Sequence, residues 1–132
     1  MRDSLATITE FITMRLPAVR KRAEIIRLFH APACASGKFL QAYSCECDGS
    51  PRFLLVVSSR YAKAVLRNRI RRIIREWCRI YYERFSEGRM WMIRATKFVA
   101  DLPKGELSIA LRNELEQLLL QCKGFDDNHA GD

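Results

Sequence analysis

The chain has 132 residues, of which 48% are apolar, so it has room for one domain with a single hydrophobic core. Its 23 Lys and Arg residues outnumber 15 Asp and Glu residues, and the net charge of +8 predicts a negatively charged partner such as a nucleic acid. No apolar run is long enough to cross a membrane, and the first residues lack the apolar stretch of a signal peptide, so we expect a cytoplasmic protein with no membrane-spanning segment.

The first half of the chain predicts one helix followed by a strand. Residues 1–14 are mildly amphipathic and are interpreted as an N-terminal extension, to which we assign no function. Residues 17–30 carry apolar side chains at helical spacing among basic ones, with a proline suited to the first helical turn and an Ala-Pro step after the end. After a loop of small residues at 31–37, residues 38–47 alternate as a half-buried strand would. The Asp-Gly pair at 48–49 is typical of a tight turn, so a hairpin is expected.

The second half predicts two strands and two helices. Residues 52–59 are almost continuously apolar, which indicates a strand that is covered on both faces or lies in the centre of a sheet. A long helix that begins near residue 60 and stops near 86–88 separates this strand from another at 90–98, and such a crossover favours parallel pairing of the two strands. Residues 105–124 predict a last helix that serves as scaffolding. Its inner face is apolar, and its outer face mixes both signs of charge in Arg112, Glu114 and Glu116.

Residues 60–79 hold almost all of the surplus positive charge, because they contain eight basic residues and one acid, Glu76. The basic residues are Arg60, Lys63, Arg67, Arg69, Arg71, Arg72, Arg75 and Arg79. An apolar stripe at helical spacing lies on the other side of the predicted helix and consists of Leu66, Ile70, Ile73, Ile74, Trp77, Tyr81 and Phe85. We therefore expect a helix with one buried face and one arginine face, on which Arg67, Arg71 and Arg75 form an exposed row.

The arginine face favours contact with a polyphosphate backbone. The planar guanidinium can hold two phosphate oxygens at once, and several such groups in a row repel one another unless an anion lies along them. Two other interpretations remain open, since charged faces often serve only solubility and basic amphipathic helices also bind membrane surfaces or partner proteins. Solvated faces usually mix the two signs of charge, and this one does not.

No arrangement of residues predicts catalysis or metal binding by the protein itself. The five cysteines include no CxxC pair and only two histidines accompany them, so we expect reduced thiols with a structural role. The glycines stand alone rather than in a phosphate-binding loop, and the acids are scattered. If the protein takes part in catalysis, another molecule such as RNA is expected to perform it.

The string KAVLRNRIRRIIRE at residues 63–76 resembles the RNR signature of the protein subunit of bacterial ribonuclease P. The resemblance covers residues 15–123, with the extension 1–14 and a tail at 124–132, expected to be disordered, outside it. It implies a small α+β sandwich in the order α-β-β-β-α-β-α, with a mixed sheet of about four strands, three helices and a left-handed crossover around the RNR helix. General rules would favour a right-handed crossover.

The resemblance also implies which residues meet RNA. Those facing the catalytic RNA would be Lys63, Arg67, Asn68, Arg69, Arg71, Arg72 and Arg75. A cleft for the single-stranded 5′ leader of precursor tRNA would be lined by Phe29, Tyr43, Ser58 and Arg60. Phe29 and Tyr43 also fit positions in the core. This sequence departs from the family pattern at Ile25, Ser59 and Ala62.

The function implied is that of a subunit of a tRNA 5′-processing endoribonuclease whose RNA carries the catalysis. Its partners would be ribonuclease P RNA and precursor tRNA, with no membrane among them. Mg²⁺ bound mainly by the RNA would be the cofactor, with no catalytic residue on the protein. The alternative is a general or ribosome-associated RNA-binding protein with no role in processing.

Overall fold

The computed structural model describes residues 15–126, so the predicted extension and most of the predicted tail lie outside the described residues. The helices and strands follow in the order α1 (Arg22–His30), β1 (Ala33–Ser36), β2 (Leu40–Glu46), β3 (Arg52–Val56), α2 (Ala64–Ile80), β4 (Arg89–Ala95) and α3 (Leu107–Leu120). Short 3-10 turns precede and follow β4 and lead into α3. Within these residues, none of the helices combines the length and apolar composition needed to cross a lipid bilayer.

The four strands form one mixed sheet in the order β1-β2-β4-β3. β2 pairs antiparallel with both β1 and β4, whereas β3 and β4 are parallel and are connected through α2. The predicted α+β class, the element order and the parallel pairing are therefore confirmed. The left-handed crossover implied by the resemblance stays a prediction.

The predicted hairpin between the second and third strands is wrong, because β4 lies between them. The reason is burial: Met90 and Met92 of β4 are fully buried on one face of the sheet, and Trp91 and Ile93 are fully buried on the other. Only a central position covers both sides of so apolar a strand. β3 is consequently not the central strand. Its apolar side chains contact clusters on both faces of the sheet, but only Phe53 is buried.

Several predicted boundaries also change. The loop of small residues contains β1, which was not separated in the sequence. α1 begins at Arg22 rather than at the proline, since Pro17 and Val19 run along the edge of β3. There the Phe53 amide donates to the Pro17 carbonyl at 2.9 Å, and the Val19 amide donates to the Phe53 carbonyl at 2.9 Å. These bonds pair backbone groups at the edge of β3 that would stay unpaired if α1 began at Pro17.

α2 ends at Ile80, several residues before the predicted stop near 86–88. The chain turns through a 3-10 segment at Tyr82–Arg84, and Phe85 still reaches the core. Its ring contacts that of Phe53 edge-on, with centroids 4.8 Å apart. Tertiary packing of Phe85, rather than helical periodicity, thus continues the apolar stripe beyond the helix.

The sheet has two unequal apolar faces. α2 and α3 cover one face and enclose the larger core, to which α3 contributes Leu107, Leu111, Leu115, Leu118 and Leu119. α1 covers part of the opposite face through Leu28, which is fully buried against Met90 and Met92. The short α1 leaves the rest of that face accessible.

The predicted inner face of α3 packs into the core. Glu114 and Glu116, which were predicted to lie on its outer face, instead contact other parts of the chain. A carboxylate oxygen of Glu114 accepts from the backbone amides of Phe39 and Leu40, at 2.7 and 2.5 Å. Glu116 pairs at 3.2 Å with Arg84, which is only 6% exposed and lies over the Phe125 ring. Both acids therefore fasten α3 to other segments, because buried donors require acceptors.

We expect Glu114→Ala to lower the free energy of unfolding by about 1–3 kcal/mol, since two partly buried amides lose their acceptor. Urea unfolding followed by circular dichroism measures this change. Gln117→Ala, an exposed position on the same helix, is the matched control and should change stability little. Equal stability of the two variants would contradict the anchoring role of Glu114.

Candidate nucleic-acid interface

The arginine face belongs to a helix that is held firmly against the sheet. Ile70, Ile74 and Cys78 are completely buried, and Trp77 is almost completely buried. Burial raises the pKa of the Cys78 thiol, which keeps this thiol neutral in the core. The Trp77 ring packs on Tyr81 and Phe125, with centroid distances of 4.7 and 5.8 Å. The basic side chains therefore project from a backbone whose orientation is set by the core.

The predicted RNA-facing residues lie on the surface of α2, but they are not equally exposed. The exposed ones are Lys63, Asn68, Arg69, Arg72 and Arg75, whereas Arg67 and Arg71 are half-buried. The predicted exposed row of Arg67, Arg71 and Arg75 is therefore wrong for its first two members.

Internal hydrogen bonds explain the lower exposure of Arg67 and Arg71. Arg67 donates through Nη1 to the Ala62 carbonyl at 2.9 Å, and Arg71 donates through Nη2 to Asn68 Oδ1 at 2.5 Å. A guanidinium has five N–H donors, so each keeps donors for an outside acceptor. These contacts reduce the freedom of both side chains and fix the directions in which their remaining donors point.

The first turn of α2 adds to the positive potential of this face. It contains no acidic residue, and Lys63 at the N-cap makes no side-chain capping bond. Unpaired amides and the helix dipole favour anions at such an end. Arg71 and Arg75 also line a small groove that continues to the extended segment Leu16–Val19 and to β3.

The open part of the other sheet face holds the two aromatic residues that were predicted for the leader cleft. Phe29 is 46% exposed, which is not the burial of a core side chain. The Arg94 guanidinium of β4 lies over its ring, 5.8 Å from the centroid, in the range of a cation–π contact. Tyr43 is half-buried against the α1 side of the sheet, and its hydroxyl donates to Gln41 Oε1 at 3.0 Å.

Ser58 and Arg60 lie in the turn that connects β3 to α2. The Arg60 amide donates to Ser58 Oγ and the Tyr61 amide donates to the Ser58 carbonyl, each at 3.1 Å. This turn brings Tyr61 to a depression that is also lined by Gln41 and Arg94. None of the four predicted cleft residues lines this depression, but three of them contact residues that do: Phe29 contacts Arg94, Tyr43 contacts Gln41, and Ser58 contacts Tyr61. The leader cleft stays a prediction.

Several residues of this surface were missed as candidates in the sequence. The depression has a volume of about 450 Å³ and is lined also by Lys38, Lys97 and Phe98, whose ring is 41% exposed. The ammonium of Lys97 lies 5.3 Å from the centroid of that ring. The sequence did contain a signal for Arg94. It is the only charged residue in the strand segment Met90–Ala95, and a charged side chain is expected on the surface rather than in the apolar core.

The described residues include one histidine, His30, which contacts its own helix. Residues 15–126 contain no group of three or more His, Cys, Asp and Glu side chains placed to hold a metal ion. His30 Nδ1 lies 2.9 Å from the Ile26 carbonyl within α1. The surface is thus basic and aromatic, which suits the binding of a single-stranded nucleic acid.

Comparison with known proteins identifies the family of this chain. The sequence model of the family described as Ribonuclease P matches residues 14–122. The chain belongs to the ribonuclease P protein family. A ribonuclease P protein component from Desulforapulum autotrophicum is 34% identical over 100 residues, which cover 74% of this chain and 81% of the relative. The family predicted from the RNR string is confirmed.

Two further comparisons extend over different shares of the chain. The component from Desulforamulus reducens is 32% identical over 71 residues, and this alignment covers 53% of this chain and 63% of the relative, less than two thirds of its length. The solved ribonuclease P protein of Staphylococcus aureus superposes with a TM-score of 0.72 at 23% identity, covering 83% of this chain and 97% of that one. This last likeness supports the fold.

Proposed function

We propose that this chain is the protein subunit of a ribonuclease P ribonucleoprotein that removes the 5′ leader of precursor tRNA. The observation that carries the proposal is a single-signed arginine face on a helix with the RNR string, anchored by a buried apolar face, in a member of the ribonuclease P protein family. A second surface, basic and aromatic, lies on the other side of the sheet. Two surfaces on one small domain suit the simultaneous binding of two RNA segments.

The proposed partner of α2 is the catalytic RNA. Arg72 and Arg75 are exposed, so their guanidinium groups are open to phosphate oxygens. Arg67 and Arg71 are held by hydrogen bonds, so less side-chain entropy is lost when they bind phosphate oxygens. Bidentate guanidinium–phosphate contacts then fix the orientation of the protein on the RNA.

The proposed ligand of the second surface is the unpaired leader. Nucleotides without base pairs present both ring faces, and exposed aromatic rings in a basic groove bind them by stacking with little dependence on sequence. Phe29 and Phe98 offer such rings, and Arg94 and Lys97 lie beside them as phosphate ligands. The turn with Ser58 and Arg60 would border the same path.

Catalysis is proposed to belong to the RNA and to Mg²⁺ that the RNA holds. The described residues lack a carboxylate cluster that would suit Mg²⁺, which prefers oxygen ligands. The contribution proposed for the protein is electrostatic: its arginines lower the repulsion between RNA phosphates, which strengthens the binding of both the substrate and the metal ions. Cytoplasmic location is part of this proposal.

The decisive experiment adds the purified protein to a ribonuclease P RNA at low Mg²⁺ and measures leader cleavage. We expect strong stimulation and tighter binding of precursor than of mature tRNA, because only the precursor carries a leader. Unchanged cleavage would overturn the proposal. A general RNA-binding protein would show no preference for the precursor when the ribonuclease P RNA is present.

Affinity for the ribonuclease P RNA should depend steeply on salt. With about six phosphate contacts, we expect the affinity to fall roughly 10³-fold between about 50 and 200 mM monovalent salt, because each contact releases condensed counterions. Filter binding over a salt series measures the slope. A nearly flat dependence would indicate that the arginine face does not contact phosphates.

A further inference from the structure

The helix α1 needs side-chain contacts to hold its direction on the sheet. Its backbone hydrogen bonds run within the helix, so only side chains decide how it lies across the strands. Leu28 is its one buried residue, and a single apolar contact leaves a helix free to rotate about that point. Further contacts are therefore required to fix the direction of the helix axis.

The second contact is an ion pair between α1 and β3. Arg52 donates through Nη1 to Glu24 Oε1 at 3.0 Å and through Nη2 to Glu24 Oε2 at 2.9 Å, so the two planar groups lie fork to fork. The side chains of Arg52 and Glu24 are only 23% and 16% exposed. Such a pair tolerates little sliding or rotation, because both hydrogen bonds depend on one relative orientation of the two planes.

The third contact joins α1 to β2. Arg27 donates through Nη2 to the carbonyl of Glu46, the last residue of β2, at 2.8 Å. Leu28, the next residue of the helix, packs on Met90 and Met92 of β4. Together with the ion pair to β3, the contacts of α1 therefore reach three strands of the sheet.

The ion pair lies toward one end of the sheet and the Phe29 ring toward the other. Arg52 is in register with Met90, near the start of β4, whereas Arg94 is about 13 Å farther along that strand at roughly 3.3 Å per residue. α1 runs from Glu24, beside Arg52, to Phe29, whose ring lies under the Arg94 guanidinium. The position of the exposed ring is therefore set from a distance by the fastened end of the helix.

The ion pair is better suited to fixing this geometry than to adding stability. Removing two charges from water costs about as much free energy as their attraction contributes, so largely buried pairs often add little net stability. They do favour one arrangement, because any other leaves a charge without its partner. Glu24 in the first turn also benefits from the helix dipole, but that effect needs no partner and does not explain the contact with Arg52.

We propose that Glu24 and Arg52 are positioning residues for the leader of precursor tRNA: their ion pair holds α1 so that the Phe29 ring and Arg94 lie on one path of the single strand. The proposal rests on the function proposed above, and neither residue of the pair has to touch RNA. Precursor tRNA is preferred over mature tRNA only while the pair is intact, because a displaced ring no longer stacks on a base beside a phosphate ligand.

The test replaces the pair by apolar side chains in one protein, as Glu24→Leu with Arg52→Met, which leaves the net charge unchanged. We expect the melting temperature to stay close to that of the unchanged protein, because apolar replacement of a buried ion pair is often neutral. In the holoenzyme, the ratio of precursor to mature tRNA affinity should fall at least about fivefold, the smallest loss expected when a stacked base loses its ring. Thermal unfolding followed by circular dichroism and equilibrium binding of both tRNAs measure the two quantities.

Arg52→Lys is the second variant, and it decides if the double variant does not fold. An ammonium keeps the charge but cannot make both bonds of the fork, so the same ratio should fall while binding of the ribonuclease P RNA stays unchanged. The control is Glu114→Ala, which removes a contact of α3 on the other face of the sheet. It should lower stability without changing the ratio.

The outcomes separate a failure of the ion pair from a failure of the proposed function. If the unchanged protein prefers precursor tRNA and both pair variants keep that preference, the pair does not position the leader surface and the proposal is wrong. An equal loss of the preference in Glu114→Ala would also contradict it, because lower stability alone would explain the effect. If the unchanged protein shows no preference, the proposed function fails, and the role of the pair fails with it.

Discussion

Replacing Arg72 and Arg75 together with Glu should weaken binding to ribonuclease P RNA by at least about 100-fold, because two charge-assisted hydrogen bonds at roughly 1.5–3 kcal/mol each are lost. Both side chains are exposed on α2, so the change should leave the fold intact. Leader cleavage at low Mg²⁺ should fall in parallel. Filter binding and a single-turnover cleavage assay measure the two effects.

The control is Arg112→Glu on α3, which reverses the charge of one exposed side chain and so makes half the change in net charge of the double replacement. We expect its RNA affinity to stay within about threefold of the unchanged protein, because long-range electrostatics between exposed charges is screened at physiological salt. An equal loss in both proteins would mean that net charge, rather than the geometry of α2, determines binding. The arginine face would then have no special role.

Phe29→Ala should weaken the binding of precursor tRNA to the holoenzyme by about tenfold, since stacking of a base on an aromatic ring contributes roughly 1–3 kcal/mol. Binding of mature tRNA and of the ribonuclease P RNA should not change, because Phe29 lies on the α1 side of the sheet and not on α2. Equilibrium binding with precursor and leaderless substrates separates these expectations.

Ile109→Ala is the control for Phe29→Ala, because Ile109 is also a large, exposed apolar side chain, 66% exposed, but lies on α3. It should bind precursor tRNA like the unchanged protein. If Phe29→Ala loses affinity equally for precursor and mature tRNA, the aromatic ring does not contact the leader. The proposed leader path would then have to exclude the α1 side of the sheet.

The arginine helix was well predicted because its signal is local. Alternation of charge with Ile70, Ile73, Ile74 and Trp77 repeats every three or four residues, and the structure buries these four residues. Its end was predicted too late, since Phe85 continues the apolar pattern by packing and not by helical geometry. Local periodicity thus identified the helix but not its last turn.

The strand order could not be predicted from local pattern. An Asp-Gly turn between two apolar segments favours a hairpin, yet β4, which is more distant in sequence, lies between β2 and β3. The buried residues on both faces of β4 outweigh the local preference, because burial of large apolar side chains contributes about 1.5–3 kcal/mol each. Long-range packing therefore decided the topology.

The sequence by itself determined the charge of this protein, the amphipathic α2 helix and, through the RNR string, its family, because each of these is carried by neighbouring residues. Only the tertiary structure decided which side chains share a surface. It placed Arg94 over Phe29 and used Glu114 and Glu116 to hold α3 to other segments. Such contacts join residues far apart in the chain, and their pairing depends on how the whole core packs.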